Sequence, residues 1–278
     1  MAENINSLPH SEGEGCVSKI ETYRFRVEPF HVDFTGHLFM GVLGNHLLNA
    51  AGHHSHNRGW GIDHLNEAHY TWVLSRLCIE LDTWPEQYDV VEVETWVESV
   101  MKLFTERNFL IRNTDDGRIY GYARSIWAMI DVETRQPSNL LELKDGDILN
   151  YVLTAEEKPC PIEKYRPSRP ATEPVVRTID THYSDVDING HINSVKYIEH
   201  ILDLFSRKQF DEHRIRRFDI AYKAESYLGD TLTFICPPAD TTFADGLAAE
   251  QHVVIRKNVG APEHPEGDPI IQAKVSWM

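Results

Sequence analysis

The sequence predicts an α+β protein built twice, each copy a helix followed by an antiparallel sheet. Three observations lead there. A short polar motif recurs in both halves, as Val32-Asp33-Phe34-Thr35-Gly36-His37 and as Val186-Asp187-Ile188-Asn189-Gly190-His191. Each copy of the motif runs straight into an apolar stretch with helical spacing. Each helix is then followed by alternating apolar and polar runs joined by short connections, and short connections make antiparallel neighbours.

In chain order, Tyr23, Phe25 and Val27 alternate with Arg24 and Arg26 and read as a strand. After the first motif, Leu38, Met40, Val42, Leu43, Leu47, Leu48 and Ala51 form a buried helix. Its Gly41 and Gly44 each cost about 1 kcal/mol against Ala and permit a close approach. Residues 52–69, rich in Gly, His and Asn, read as a loop. Strands are expected over 72–81, 91–98, 104–112 and 118–130, the last two joined by the turn Asn113-Thr114-Asp115-Asp116-Gly117. Pro137, Pro159, Pro161, Pro167, Pro170 and Pro174 and many charges mark residues 133–174 as a connection, with a short helix around 140–153. The second unit opens with a strand over 175–180. Its helix is marked by Ile192, Val195, Ile198, Leu202 and Phe205 and ends near Phe210. Strands follow over 218–223, 231–236, 247–257 and 270–278. The boundaries are then 1–140 for the first unit, 141–174 for the connection and 175–278 for the second.

The duplication extends past the motif. Leu77-Cys78-Ile79-Glu80-Leu81 aligns with Phe218-Asp219-Ile220-Ala221-Tyr222, and Asp89 with Asp230. The halves close alike, on Ala123-Arg124-Ser125-Ile126-Trp127 and Ala273-Lys274-Val275-Ser276-Trp277. Chance does not give these matches in order. A sheet curled about a central helix, present twice, is a tandem double hot-dog, whose sites lie where the units meet.

The copies differ where chemistry would sit. Asn189 corresponds to Thr35 and Glu225 to Trp84. A structural cap would serve both halves equally, so the asymmetry points to chemistry in the second.

Composition narrows the classes. Hydrophobic content is 41%, charged content 25% and net charge −16, which fits a soluble globular protein and makes nucleic acid an unsuitable partner. No apolar run reaches the roughly 20 residues of a membrane span. The N-terminus has neither a basic nor an apolar signal region. Cys16, Cys78, Cys160 and Cys236 are scattered without a CxxC pair, as expected for a reducing, cytoplasmic setting. His53, His54 and His56 lack the helical i, i+4 pair and the companion ligands of a zinc site and read as a solvated helix end. No metal or cofactor is expected.

The segments Trp72-Val73-Leu74-Ser75-Arg76, Asp89-Val90-Val91-Glu92-Val93-Glu94-Thr95-Trp96 and Ser125-Ile126-Trp127-Ala128-Met129 resemble the acyl-acyl-carrier-protein (acyl-ACP) thioesterases, the family of the plant plastid FatA and FatB enzymes and their bacterial relatives. So, above all, does Asp187-Ile188-Asn189-Gly190-His191-Ile192-Asn193-Ser194-Val195-Lys196-Tyr197, close to the family's D-x-N-x-H-V-N-N-x-K-Y. The resemblance covers the chain from about Tyr23 to Trp277. It implies hydrolysis of fatty acyl-acyl carrier protein, with Asp187, Asn189, His191 and Glu225 as catalytic residues. The family's Y-x-x-E-C-G segment reads Tyr222-Lys223-Ala224-Glu225-Ser226-Tyr227 here, so no thiolate can act at Ser226.

On the residues themselves, Glu225 is the candidate base or direct nucleophile, with Ser226 a weaker nucleophile candidate. Asn189 would place water or hold the carbonyl. His191 would serve the carbonyl or the leaving thiol, with Asp187 fixing its tautomer or orienting Asn189. Backbone N–H groups of residues 192–194 would complete an oxyanion site.

The resemblance also implies that the first unit holds the acyl tail, with Met40, Val42, Leu47, Trp72, Leu74 and Trp84 as candidate lining. The dense basic segment of Arg207, Lys208, His213, Arg214, Arg216 and Arg217 is a candidate docking patch for an acidic carrier protein. Either a monomeric pseudo-dimer or a homodimer is compatible. Two other readings remain: a hot-dog thioesterase for coenzyme A esters, and a non-catalytic acyl-binding protein, against which Glu225 argues.

Overall fold

The computed structural model describes residues 18–166, 175–260 and 267–278. Cys16 with the polar N-terminal stretch, and Pro167, Pro170 and Pro174, lie outside them. The first half runs β1 (Ile20–Arg26), α1 (Met40–His56), α2 (Ile62–Asn66), β2 (Tyr70–Leu81), β3 (Val90–Val100), β4 (Phe104–Asn113) and β5 (Ile119–Asp131). The second runs β6 (Val175–Asp180), α3 (Ser194–Leu202), α4 (Arg207–Glu212), β7 (Ile215–Tyr222), β8 (Thr231–Ile235), the short β9 (Thr241–Thr242), β10 (Ala248–Lys257) and β11 (Asp268–Trp277).

One continuous antiparallel sheet joins the halves in the order β1-β3-β4-β5-β2-β7-β11-β10-β8-β6. The order is a palindrome of the repeat. The junction is β2 against β7, with Leu77 opposite Ile220, Cys78 opposite Asp219 and Ile79 opposite Phe218. These are the residues the duplication aligns, so the pair Leu77–Ile220 maps onto the pair Phe218–Ile79, and Cys78 faces its own equivalent, Asp219. That is the self-complementary pairing of a two-fold dimer, made within one chain.

Each half of the sheet curls over its helix, the tandem hot-dog arrangement. Leu43 and Leu47 of α1, Ile198 and Ile201 of α3, and Phe218 and Phe234 of the sheet are fully buried in one core. Each such side chain contributes about 1.5–3 kcal/mol. The two helices cross at the glycine notch of α1: a Cβ on Gly41 would lie 2.8 Å from Glu199 Cγ, and one on Gly44 3.4 Å from Val195. The close approach expected of these glycines is therefore to the second helix.

Three local expectations change. Helix α1 continues through residues 52–56, which had read as loop. The second helix is shorter than its spacing implied: α3 ends at Leu202, and α4 starts after Ser206, whose hydroxyl accepts from the Gln209 N–H at 3.2 Å. The break lets Phe205 and Phe210 pack edge-on against Trp277, with ring centres 5.0 and 5.2 Å away. The connection is packed as well. It forms a 3-10 segment at Leu143–Tyr151, and then Cys160, Ile162 and Tyr165 bury against Cys78, Trp96 and Ala221 across the β2–β7 junction. Arg124 donates to the carbonyls of Cys160 and Ile162, at 2.7 and 2.9 Å, and holds it there. Among the described residues no helix is long and apolar enough to cross a membrane.

Candidate active site

The second motif is a tight turn before it is anything else. Asp187 Oδ1 accepts the backbone N–H groups of Asn189 (2.8 Å) and His191 (3.2 Å). Gly190 N–H closes onto the Asp187 carbonyl at 3.0 Å, with Gly190 at φ 80°, a conformation that favours glycine. Asp187 thus orients Asn189 and His191 through their backbone. The tautomer-fixing contact with the His191 ring is not made. The cap of α3 is Asn193, whose side chain accepts from Val195 N–H at 3.0 Å.

A second segment docks on this turn. The Ile192 N–H donates to the Ser226 carbonyl at 2.9 Å, and His191 bridges to Tyr227. The first half repeats both contacts, Leu38 N–H to the Pro85 carbonyl and His37 to Glu86, which puts Trp84 in the place of Glu225. The result sets Glu225 beside His191, with Oε1 3.5 Å from His191 Nδ1. Arg135 donates to the same oxygen, and the Tyr227 hydroxyl donates to Oε2 at 3.3 Å. Lys257 Nζ holds the Glu225 carbonyl at 2.8 Å. Glu225 is therefore surrounded by a guanidinium, an imidazole and a phenol.

Asp187 and Asn189 line a cavity of about 340 Å³ that runs into the first half, and Asn193 and Ser194 at the start of α3 complete its mouth. Asn45, Leu48, Asn49 and Gly52 face it from α1, and Trp72 and Leu74 from β2. At its deep end Arg107 (5% exposed) donates to Thr95 Oγ1 and His54 Nδ1, each at 3.2 Å. Burial pushes the Arg107 guanidinium down to about 9. Burial, with Arg107 and Arg58 beside it, pushes His54 down to about 2, so His54 is neutral, with Nε2 toward the Lys19 carbonyl at 3.1 Å. His54 is thus a buried structural residue, not part of a solvated helix end.

The structure separates the candidates. It brings Asp187, Asn189, His191 and Glu225 together, and Trp72 and Leu74 line the cavity that Asp187 and Asn189 border. Met40, Val42 and Trp84 line a different cavity, and Leu47 is sealed in the core. Asn45, Leu48 and Asn49 form the face of α1 that meets the cavity, and Met40, Val42 and Leu47 lie off that face. Ser226 is fully buried and hydrogen-bonded to the Tyr197 hydroxyl, which leaves its own hydroxyl closed to solvent. Of the backbone donors at 192–194, Ile192 and Asn193 are already bonded to carbonyls; the Ser194 N–H alone has no partner among the described residues. The basic segment is also divided. Arg216 pairs with Glu80 and Asp82, and Arg217 with Glu80 and Asp219, because both lie on β7 at the junction and spend their charge there. Arg207 pairs with Asp211 at 3.4 Å. Arg135 and Lys257 carry no motif, and only the fold joins them to Glu225, whereas Tyr227 lies two residues along the same segment.

Two family models match the chain, the acyl-ACP thioesterase N-terminal domain over residues 19–144 and the C-terminal domain over 168–278. A curated dodecanoyl-[acyl-carrier-protein] hydrolase of Cinnamomum camphora is 25% identical over 84% of the chain and 61% of its own length. An oleoyl-acyl carrier protein thioesterase of Arabidopsis thaliana is 24% identical over 74% of the chain and 60% of its own length. The chain thus spans about 60% of the length of these curated relatives. Among solved structures, an acyl-ACP thioesterase from Bacteroides thetaiotaomicron is 50% identical, with TM-score 0.83 over 94% of this chain and 98% of that one. The 12:0-ACP thioesterase from Umbellularia californica shares the fold, at 19% identity and TM-score 0.75 over 95% and 99%.

Proposed function

The chain belongs to the acyl-ACP thioesterase family, and from that premise we propose that it hydrolyses the thioester of a fatty acyl chain on acyl carrier protein, releasing the free acid. The first half holds the acyl tail in the cavity along α1, and the second half supplies the reacting groups. Glu225 takes a proton from water, whose oxygen bonds to the thioester carbon. Charge gathers on the carbonyl oxygen, within reach of the Asn189 amide and the Ser194 N–H at the positive start of α3. The C–S bond then breaks, and the proton passes from Glu225 by way of His191 to the departing sulfur. Arg135 and Tyr227 hold the Glu225 carboxylate toward His191. Because one chain already pairs two hot-dog units through β2 and β7, a single chain suffices for the site.

The observation that carries this reading is that the turn bearing Asn189 and His191, with Asn189 lining the cavity, is docked onto the segment bearing Glu225, which sets Glu225 beside His191. The test is hydrolysis of a panel of acyl-carrier-protein and acyl-coenzyme A thioesters by the wild type and Glu225→Gln. Loss of a general base should lower kcat by about 10²–10⁴-fold. No hydrolysis of any thioester by the wild type sinks the reaction, and full activity in Glu225→Gln removes the base.

A further inference from the structure

A second cavity of about 720 Å³ lies on the other side of the pseudo-two-fold axis, between the first motif and α3. Much of its lining is the counterpart of the first cavity's. Asp33 and Thr35 stand where the first cavity has Asp187 and Asn189, and Phe39 and Met40 where it has Asn193 and Ser194. Glu199, Leu202 and Asp203 of α3 replace Asn45, Leu48 and Asn49 of α1, and His213 and Ile215 replace Trp72 and Leu74. Its volume falls within the ~300–1,000 Å³ of small-molecule sites.

We propose that this second cavity binds an aliphatic carboxylate, a free fatty acid, without acting on it; the inference rests on the reading that its counterpart holds an acyl tail. The two positions that make the counterpart reactive are changed: Asn189 is Thr35, whose hydroxyl is spent on Asp33 (2.6 Å) and His37 Nδ1 (2.9 Å), and Glu225 is Trp84. The second change replaces a carboxylate by an aromatic wall of the cavity, with the indole N–H fixed on the Ile215 carbonyl at 3.2 Å. Phe34, Phe205 and Phe210 add apolar surface for a chain.

Most charges lining the cavity are internally paired. Lys196 meets Glu199 at 2.7 Å, His200 meets Asp185 at 3.0 Å, and Arg177 meets Asp203 at 3.5 Å. Arg214 differs: its guanidinium donates only to the Phe210 and His213 carbonyls, and no carboxylate pairs with it among the described residues. A cation without a counter-ion beside an aromatic cavity fits a fatty carboxylate and disfavours a neutral ester.

The experiment is calorimetric titration of the whole chain with dodecanoate and hexadecanoate below their micelle concentrations, with the wild type, Arg214→Gln and Gly52→Leu. A Cβ on Gly52 meets no atom within 4 Å, so the leucine side chain can fill the first cavity. Two equivalents should bind the wild type. Arg214→Gln should weaken one by about tenfold or more, the effect of losing a charge-assisted hydrogen bond. Gly52→Leu should remove the other. A change in Trp84 emission on binding, absent in Trp84→Phe, gives a readout that survives a poorly folded Arg214 variant. One equivalent in the wild type, or two unaffected by Arg214→Gln with Trp84 emission unchanged, overturns the proposal. Loss of one equivalent in Arg214→Gln with none lost in Gly52→Leu leaves the second cavity standing and removes the acyl tail from the first.

Discussion

Ser226 stands where the family's Y-x-x-E-C-G segment has its cysteine, and its hydroxyl is occupied. It is sealed from solvent against the Tyr197 phenol, which burial pushes up to about 12 and so keeps protonated. Ser226→Ala should keep kcat within about threefold and lose about 1–3 kcal/mol of stability, because the Tyr197 hydroxyl is left buried without its partner. Steady-state kinetics and denaturant unfolding measure the two separately. Two other side chains set the acid limit. Burial, and His31 nearby, push His46 down to about 4, where it stacks on Phe25 at 3.5 Å; His54 lies lower still. Both are neutral in the folded chain. The unfolded chain takes up protons there once the pH falls below about 6.5, so stability is full above that value and declines toward 4 and below. Between pH 6.5 and 5 the loss should reach at most about 2 kcal/mol per histidine. Thermal unfolding across that range should show the slope, and His46→Phe should remove its share.

At the scale of elements, glycine decides how closely two pieces of chain can meet. Gly121 of β5 lies opposite Leu81 of β2, and a Cβ there would fall 2.1 Å from the Glu80 carbonyl oxygen. The obstacle is backbone, which cannot swing aside as Glu199 can at Gly41. Gly121→Ala should therefore cost about 3 kcal/mol or more by forcing the two strands apart, read from the denaturation midpoint. The turn of the second motif obeys the same logic: Gly190 allows the left-handed step, Asp187 ties the backbone around it, and Asn189 and His191 are held at defined angles. The strands were legible in the sequence almost end to end, because alternation is a local signal of one buried face. The break between α3 and α4 was not, since it follows from aromatic packing on Trp277 far along the chain.

Across the whole molecule, the junction of β2 and β7 absorbs the charge that looked available for a partner. Arg216→Glu or Arg217→Glu should lower the thermal midpoint by leaving Glu80, Asp82 and Asp219 uncompensated, and should affect carrier-bound and coenzyme A-bound substrates alike. Reversal at Arg207 and Lys208, which lie on α4 away from the junction, should raise KM for the carrier-bound substrate alone if the carrier docks there. The chain carries net charge −16, so an acidic carrier needs such a local exception.

The sequence by itself determined the duplication, the strand and helix types, the turn built on Asp187 and Gly190, and the asymmetry that puts Asn189 and Glu225 in one half. These are local patterns or comparisons of one half with the other, and both survive in a linear string. The tertiary structure alone decided which face of α1 meets a cavity, that Ser226 is closed off by Tyr197, that Arg135 reaches Glu225 from the other half, and that a second cavity mirrors the first. Each of these depends on residues far apart in the chain that meet only when the chain packs, within the second half for Ser226 and Tyr197 and across the β2–β7 junction for the rest, and no periodicity within one element records which side chains that packing brings together.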